Sequence, residues 1–516
     1  MKKKKKRNGK AVLASILVTL TIYTGALLIF LYVKGWRIDF IDQSIKKIGV
    51  LTVESSPMLA EIYVNDEYKG KTNKSMTLDI GDYDVMVSKE GYFDWNKEVS
   101  ILEEKSTPVY PYLIKSEFKE ENIYTSDTPI EKSWVDSDNN HFMFMTETED
   151  SFKLYYYNPN PSFLSISSLP VNILTIPINN EENTISDVNI KLSPSGDLAI
   201  LKISEEDSKD PSRFIIPTTT EISYNSLSNY SINLNDFEDF QITWAENEKY
   251  LILESDSEVI SYSLNKGTKQ LLLRKTDSLD KWTTDSDGYF YIFRHIENED
   301  ETIIEYSLKQ YNLDGSGEVE VISSLYLQND TTFIDQYRST DFAFGFFTNS
   351  PENTQTIGEI TNFAVNQDVD GIFIKTTEAS YWYDMTIGKY ITISPYPVDI
   401  VEFSPDEDKL LIKTPTEYQI FVFDKEEGDH TITIGTHYIE NINIDQITQI
   451  NWLSNSSYIQ YAEDNFIYIA DKEGENKTPI LSSEDVLYWT VRNSRDKLIT
   501  IVNTEEGFTI TSYLIH

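Results

Sequence analysis

The sequence predicts an all-β protein that a single N-terminal helix attaches to a membrane. Three observations support this fold class. An uncharged segment, residues 11–33, follows a run of basic residues. Strand-like alternation of apolar residues begins near residue 49. A unit of aromatic anchor, polar turn and apolar strand then recurs to the end of the chain. We therefore expect a transmembrane helix, a small β-sandwich and a seven- or eight-bladed β-propeller.

The segment Ala11–Val33 has the length and composition of a membrane-spanning helix. At about 1.5 Å per residue it covers roughly 35 Å, and a hydrocarbon core is about 30 Å thick. Its polar residues are Ser and Thr, whose hydroxyls can bond back to the helix backbone. Seven Lys or Arg and no acid lie in residues 1–10. The positive-inside rule predicts a cytoplasmic tail, a single pass through the cell membrane and extracytoplasmic domains.

A cleaved signal peptide is the alternative for this segment. The apolar stretch is longer than a usual signal core, and residues 31–40 offer no small-x-small cleavage site. An uncleaved anchor in contact with the lipid bilayer is therefore favoured. Ala11, Ser15 and Thr19 recur every four residues and would suit a helix–helix contact, but such spacing is common by chance and a bare anchor is favoured.

Composition limits the function of the part beyond the helix. The chain has a formal net charge of −40, and seven of its 44 basic residues lie before the helix, against 84 acids overall. Such a surface repels nucleic acid and anionic lipid. It suits cationic partners or bound cations, but solubility and resistance to adhesion are the favoured explanation of the charge. The absence of cysteine excludes disulfides, thiolate metal sites and cysteine nucleophiles. The five histidines show no metal-ligand spacing.

Residues 34–47 form a predicted linker. Ile38, Ile41, Ile45 and Ile48 step by three and four, which is the spacing of a helical stripe. The pattern predicts a short helix that lies on the membrane or packs on the next domain.

Residues 48–114 alternate with a period of two and predict the β-sandwich. Apolar positions alternate with other residues in four segments, and turn-forming residues separate these segments. The apolar positions are 51 and 53; 60, 62 and 64; 83, 85 and 87; and 99 and 101.

Four short motifs stand out in this segment: Pro57-Met-Leu-Ala60, Gly70-Lys71-Thr72, Gly81-Asp-Tyr83 and Lys89-Glu-Gly-Tyr92. Together they resemble a PEGA domain. The first motif stands where that family has Pro-Glu-Gly-Ala, the second resembles its Gly-x-Thr turn with Asn73 in place of proline, and the last two match its later landmarks. The resemblance implies a surface-displayed binding or spacer module without catalytic residues. Gly70-Lys71-Thr72 also imitates a P-loop, but the earlier glycine is missing and strand-like residues follow, so nucleotide binding is not indicated.

Residues 115–516 predict the propeller, since units of about 40–55 residues with four strands each are typical of that fold. A further unit must lie between Trp282 and Phe403, near Tyr337 or Phe363. Residues 123–129 are placed to complete the last blade and close the ring. Solenoids or two β-sandwiches are the alternatives. The anchors are Trp134, Leu192, Trp244, Trp282, Phe403, Trp452 and Trp489.

The turns at 193–196 and 404–407 share Ser-Pro and are followed by Asp. They resemble the turns of TolB-type and WD-repeat-like propellers, which implies a fold but no activity.

One motif could bind a metal. Asn366, Asp368 and Asp370, with Gly371 behind them, have the spacing of the first half of a calcium loop. Position 12 of that loop is Thr377 instead of glutamate. A structural hairpin turn explains the same residues, as it does Asp285-Ser-Asp-Gly288. Apart from this calcium site, no cofactor is predicted.

No catalytic residues are nominated, because a Gly-x-Ser-x-Gly motif is absent and carboxylate pairs arise by chance among so many acids. We expect a non-catalytic envelope protein that presents its propeller to a protein or glycan partner, and no nucleic-acid binding. The alternatives are a carboxylate-dependent glycan hydrolase or lyase with its site in the propeller channel, and a structural surface spacer. Acids that converge in the channel would favour the enzyme, and a mixed polar lining would favour binding.

Overall fold

The computed structural model describes most of the chain, which divides into two compact units. The first unit holds residues up to Glu117 together with His516, and the second holds Phe118–Phe423 and Gly435–Ile515. The described residues are 9–33, 36–39, 44–103, 105–136, 141–160, 169–178, 184–206, 211–232, 240–275, 280–285, 287–296, 305–326, 359–366, 371–385, 389–423, 435–439, 442–491 and 496–516.

The predicted N-terminal helix is present as α1, Gly9–Val33. Two hydroxyls bond back to the helix backbone as expected: Thr21 Oγ1 donates to the Leu17 carbonyl at 2.9 Å, and Thr24 Oγ1 to the Leu20 carbonyl at 2.7 Å. Within the described residues, no helix combines the length and the apolar character that crossing a bilayer requires.

The short helix predicted after α1 is wrong. A β-hairpin stands there: β1, Trp36–Asp39, pairs antiparallel with the start of β2, Ser44–Val53. The physical reason is that β2 continues without a break into the sandwich, so its first residues share the extended backbone of the strand they begin.

The first unit contains two four-stranded sheets. In one, β2 lies between β5, which is antiparallel to it, and β8, which is parallel. The other has the order β4-β3-β6-β7, with all neighbours antiparallel. The remaining strands are β3 (Glu61–Val64), β4 (Glu67–Lys71), β5 (Lys74–Asp79), β6 (Gly81–Ser88), β7 (Trp95–Ile101) and β8 (Ser106–Val109).

One apolar core holds these two sheets together, and it confirms the predicted inward positions. Its members come from both sheets, and in β3, β6 and β7 alternate residues point into it. The core residues are Leu51, Val53, Ala60, Ile62, Val64, Val85, Val87, Trp95, Val99, Ile101, Val109 and Leu113. The C-terminal residue His516 also belongs to this unit, and its imidazole stacks on Tyr112 with ring centres 4.3 Å apart.

The second unit consists of eight consecutive sheets in the described residues, which we call blades 1 to 8. Blade 1 comprises β10 (Ile130–Val135), β11 (Phe142–Glu147), β12 (Ser151–Tyr157) and β13 (Val171–Pro177), and blade 2 comprises β14 (Ile185–Leu192), β15 (Leu198–Glu205) and β16 (Ser212–Pro217). Blade 3 comprises β17 (Gln241–Trp244), β18 (Tyr250–Glu254), β19 (Glu258–Ser263) and β20 (Lys269–Arg274). Blade 4 comprises β21 (Lys281–Thr284), β22 (Tyr289–Ile296), β23 (Glu305–Asn312) and β24 (Val319–Tyr326). Blade 2 thus has three strands, and a 3-10 helix, Tyr224–Tyr230, follows it.

Blades 5 to 8 follow the same four-stranded antiparallel pattern. Blade 5 comprises β25 (Ile360–Val365), β26 (Gly371–Thr376), β27 (Ser380–Asp384) and β28 (Lys389–Ser394), and blade 6 comprises β29 (Asp399–Phe403), β30 (Lys409–Lys413), β31 (Tyr418–Val422) and β32 (Gly435–Tyr438). Blade 7 comprises β33 (Ile447–Trp452), β34 (Tyr458–Glu463), β35 (Phe466–Asp471) and β36 (Thr478–Ser482). Blade 8 comprises β37 (Val486–Val491), β38 (Lys497–Thr504), β39 (Gly507–Leu514) and β9 (Lys119–Ser126). A second 3-10 segment, Ile444–Gln446, precedes β33.

Strand β9 closes the ring, as the sequence predicted. It precedes blade 1 in the chain but pairs antiparallel with β39, so the last blade contains both ends of the unit. Apolar side chains of blades 8 and 1 then pack face to face, including Phe142, Phe144, Tyr488 and Phe508. A solenoid or a pair of sandwiches would not join its first and last sheets, so the propeller is the correct fold.

Every predicted anchor lies on the first strand of its blade. Trp134, Trp282 and Trp489 lie within β10, β21 and β37, and the other anchors are the last residues of their strands. The predicted hidden unit is blade 5, since Phe363 lies on its first strand β25. Tyr337 is outside the described residues. The anchor-turn-strand pattern therefore marks the passage from the first to the second strand of each blade.

Candidate functional site

The first strands of the blades form the inner wall of the ring. Neighbouring first strands lie side by side: β14 is next to β10, β25 next to β21, and β33 next to β29. In a closed ring of blades, the strands nearest the axis are those that approach their counterparts in this way. We call the eight first strands, β10, β14, β17, β21, β25, β29, β33 and β37, the channel strands.

The channel strands carry few acidic residues, and most of these form ion pairs or hydrogen bonds. The four acids there are Glu131, Asp187, Asp399 and Glu402. Asp187 forms an ion pair with Lys132 of the preceding blade, and Asp399 forms one with Lys375. Glu402 Oε2 accepts a hydrogen bond from the Trp452 backbone N–H at 2.9 Å.

Neutral polar side chains outnumber these acids on the same strands. Asn189, Gln241 and Asn362 are exposed, and Gln449 donates to Asn451 Oδ1 at 3.1 Å. Val135 and Leu487 are the large apolar residues that these strands expose, and neither is aromatic. The inner wall is therefore a mixed polar surface that offers amide donors and acceptors.

Lys191, on β14, contributes a cation to this wall. Its Nζ donates to the backbone carbonyl of Ile242 on β17 at 3.1 Å. Desolvation lowers the pKa of Lys191 below its ordinary value, because water is partly removed from the ammonium. A lysine in this setting can donate hydrogen bonds to an anion at the joint between blades 2 and 3.

Tryptophan anchors link neighbouring blades through their indole N–H groups. Trp244 donates to the Lys191 carbonyl of blade 2 at 3.0 Å, and Trp282 donates to Glu254 Oε1 of blade 3 at 2.9 Å. The indole of Trp452 lies 3.4 Å from the Glu402 carbonyl of blade 6. Sequence reasoning identified these residues as anchors but missed the donor role. The residue type could have indicated the donor role, because tryptophan carries an N–H group that a purely apolar anchor does not require.

The polar turns that follow the channel strands share one geometry. In the seven turns that the structure describes at both ends, the backbone N–H of the first residue donates to a carbonyl four or five residues later. The seven such pairs are Asp136 and His141, Ser193 and Leu198, Ala245 and Tyr250, Asp285 and Tyr289, Asn366 and Gly371, Ser404 and Lys409, and Leu453 and Tyr458.

Adjacent turns also touch each other. Ser195 Oγ of blade 2 donates to Glu248 of blade 3 at 2.7 Å, and the Asp406 N–H of blade 6 donates to Ser456 Oγ of blade 7 at 3.0 Å. In blade 1, His141 Nδ1 lies 2.7 Å from the buried carboxylate of Asp136. The turns therefore lie along one edge of the ring and use many of their polar groups to hold one another.

The predicted calcium site falls within one of these turns. Asn366 is buried, and its Oδ1 accepts a hydrogen bond from the Gly371 N–H at 3.0 Å. Asp368 and Asp370 lie outside the described residues, so the site stays a prediction. Asp285, in the equivalent turn of blade 4, accepts from the Gly288 and Tyr289 N–H groups at 2.8 Å and from the Tyr291 hydroxyl at 2.9 Å.

Other potential chemistry is limited in the part of the chain that the structure describes. It contains no group of three or more His, Asp or Glu side chains placed to hold a metal ion. The Gly70-Lys71-Thr72 sequence ends strand β4, and strand β5 follows it instead of a helix. The Thr72 hydroxyl accepts from the Ala60 N–H at 3.1 Å, which is a structural role.

Comparison with protein families identifies one part of the chain. Residues 48–116 match the family model of the PEGA domain. No curated protein sequence matches the chain.

Several solved structures resemble the chain at low identity. The C-terminal WD40 domain of Sif2 is 10% identical with a TM-score of 0.39, over 76% of this chain and 98% of that chain. Oligogalacturonate lyase from Vibrio parahaemolyticus is 7% identical with a TM-score of 0.35, over 77% and 98%. Porphyromonas gingivalis dipeptidyl peptidase 4 is 12% identical with a TM-score of 0.40, over 73% and 57%. Because the similarity is this low, it carries no argument about activity.

Proposed function

We propose that this protein is a non-catalytic binding or scaffolding protein of the cell envelope. Residues 11–33 anchor it in the membrane with the N-terminus in the cytoplasm, and the PEGA domain and propeller lie outside. The channel strands of the propeller receive a protein or glycan partner. The protein does not bind nucleic acid, because its excess of acidic residues repels phosphate.

The observation that carries the binding role is the polar composition of the channel strands. A carboxylate-dependent hydrolase or lyase needs two carboxylates roughly 5–10 Å apart and available to substrate. Three of the four acids on the channel strands are already in ion pairs or hydrogen bonds. Exposed amides, in contrast, offer hydrogen bonds without a reaction.

A capture experiment tests this role. Full-length protein in detergent serves as bait for an envelope extract, alongside a Gln241→Ala/Asn362→Ala variant of the channel strands. We expect the wild type to retain a partner that the variant releases. Gln270→Ala, an exposed glutamine on the outer strand β20, is the matched control and should retain the partner.

Two outcomes would contradict the proposal. Equal retention by the channel variant and the control would move the binding surface away from the channel strands. Turnover of a glycan or peptide library by the wild type, with no partner recovered, would favour the enzyme. A protein that binds nothing and turns over nothing would be a structural spacer.

The proposed membrane topology rests on the sequence of residues 1–33. The chain contains no cysteine, so single introduced cysteines can report sidedness. We expect a membrane-impermeant maleimide to label Ser75→Cys, an exposed site on β5, in intact cells. Lys6→Cys should react only after permeabilisation. Recovery of the chain in the soluble fraction, or the reverse labelling, would refute the anchor.

Calcium is a proposed accessory ligand of the turn at 366–371. If Asp368 and Asp370 complete the site, millimolar calcium should raise the thermal midpoint of the wild type. The Asp370→Ala variant should show a smaller rise. An unchanged midpoint in the wild type would leave these residues as a structural turn.

A further inference from the structure

Lys191 differs from the other lysines that bridge blades near the channel. Lys132 and Lys375 each reach a carboxylate of a neighbouring blade, Asp187 and Asp399 respectively. The ammonium of Lys191 has the Ile242 carbonyl as its hydrogen-bond partner in the described structure. An ammonium has three N–H donors, so two remain for a ligand.

Two exposed amides flank this ammonium. Along β14, residues 188, 190 and 192 are buried while Asn189 and Lys191 are exposed, so these two side chains lie on the same side of the strand. Gln241 is exposed and immediately precedes Ile242, whose carbonyl contacts the ammonium. The hydrogen bond from Trp244 to the Lys191 carbonyl fixes β14 and β17 beside each other. One ammonium and two exposed amide side chains thus lie on the neighbouring strands β14 and β17, at the joint between blades 2 and 3.

We propose that Lys191, Asn189 and Gln241 form a subsite for a carboxylate, namely the C-terminal carboxylate of a protein partner. This inference rests on the proposed binding function and names the chemistry that the channel strands recognise. Ammonium and amide N–H groups together match the lone pairs of a carboxylate. The neutral amides also suit the peptide groups next to a chain terminus.

A peptide fits this wall better than a sugar chain for two reasons. Sugars commonly bind by stacking on aromatic rings, and the exposed large apolar residues of the channel strands, Val135 and Leu487, are not aromatic. The acidic surface of the protein would also attract a cationic partner, whose C-terminus is a carboxylate whatever its overall charge.

The carboxylate subsite can be tested with the full-length protein in detergent and a matched pair of probes. The probes are N-acetylated pentapeptides of Lys and Ala, one with a free C-terminal carboxylate and one amidated. We expect the free acid to bind about tenfold or more tightly than the amide, since only the free acid accepts hydrogen bonds as a charged group. Equal or undetectable binding of both peptides overturns the proposal.

Substitutions of Lys191 test whether this side chain causes the preference for the free acid. Lys191→Met should remove the preference for the free acid and leave the amide unchanged, and Lys191→Arg should keep most of the preference. Lys266→Met, which removes a positive charge from an exposed turn of blade 3, is the charge-matched control and should bind as the wild type does. If Lys191→Met binds the free acid as tightly as the wild type does, the proposed carboxylate subsite is refuted. The proposed binding function of the propeller would not be affected by that result.

Chemical protection gives an independent readout at the same atom. Limited acetylation followed by peptide mass spectrometry measures the reactivity of each lysine. The free-acid peptide should protect Lys191 but not Lys266, and the amidated peptide should protect neither. Protection by an oligomer of uronic acid, but not by the peptide, would refute the protein partner and assign the subsite to an acidic glycan.

Discussion

The sandwich of the first unit and the ring of the second are stabilised in different ways. The sandwich buries one continuous apolar core shared by both of its sheets. The ring divides its apolar residues among successive joints, and polar contacts reinforce those joints. Loss of one side chain should therefore affect the whole sandwich but only one joint of the ring. Four substitutions test this difference.

The largest effect is expected in the sandwich core. Ile62→Ala removes a fully buried side chain between β4 and β6 and should destabilise the first unit by about 2–5 kcal/mol, because a cavity remains. Hydrogen exchange followed by mass spectrometry should show faster exchange throughout that unit. Ile80→Ala, at a half-exposed position, is the control and should change exchange little. Faster exchange limited to β3 would contradict a shared core.

The joint that closes the ring should give the next largest effect. Asn503 Oδ1 accepts from the Ile130 N–H at 2.8 Å, and its Nδ2 donates to the Ile130 carbonyl at 3.0 Å. Asn503→Leu leaves both backbone groups without this partner and should cost about 1–3 kcal/mol in chemical unfolding of the ring. Asn122→Leu, an exposed position on β9, should be close to neutral. Equal losses would argue against a special role for this joint.

A smaller effect is expected at a single tryptophan joint. Trp244→Phe keeps an aromatic ring but removes the donor to the Lys191 carbonyl. Trp489→Phe removes an indole that makes no hydrogen bond in the described residues, so it measures the change in ring size alone. The difference between the two variants in thermal or chemical unfolding should be about 1 kcal/mol. No difference would show that the indole N–H is replaceable by water.

The smallest effect should be a stabilisation of the sandwich. Leu59 has a φ of 64°, in the left-handed region, at the position where PEGA domains carry glycine. Leu59→Gly should stabilise the first unit by about 0.5 kcal/mol, because removing the Cβ strain outweighs the added freedom of the unfolded chain. Met58→Gly, at a neighbouring position outside that region, should instead destabilise it. A loss of stability in Leu59→Gly would mean that the leucine side chain makes a necessary contact.

Much of the fold could be predicted because local patterns determine it. The anchors mark first strands, since each precedes a tight turn and must pack between two blades. The closing role of β9 followed from an unpaired strand before the first anchor. The helix predicted within residues 37–48 was wrong because isoleucines spaced by three and four also fit two short strands, and only pairing along β2 decides between them.

The candidate site was harder to predict because it depends on neighbouring blades. Lys191 is an ordinary exposed strand residue in the sequence, and its setting arises from Ile242, some fifty residues later. The same is true of the tryptophan donors. The sequence also did not indicate that blade 2 shows three strands in the described residues, since these strands follow the common pattern. Contacts between blades join residues that are far apart in the sequence, so they leave no periodic pattern in it.

The pairing of β9 with β39 also has a consequence for how the protein is made. Ile130 and Asn503 are separated by 373 positions along the chain, so their contact cannot form before nearly the whole polypeptide has been synthesised. Until then β9 has no partner strand, and blade 1 lacks the surface that covers it. We therefore expect the ring to fold late, after synthesis of its last residues, and a ribosome-stalled chain lacking β39 to remain sensitive to protease.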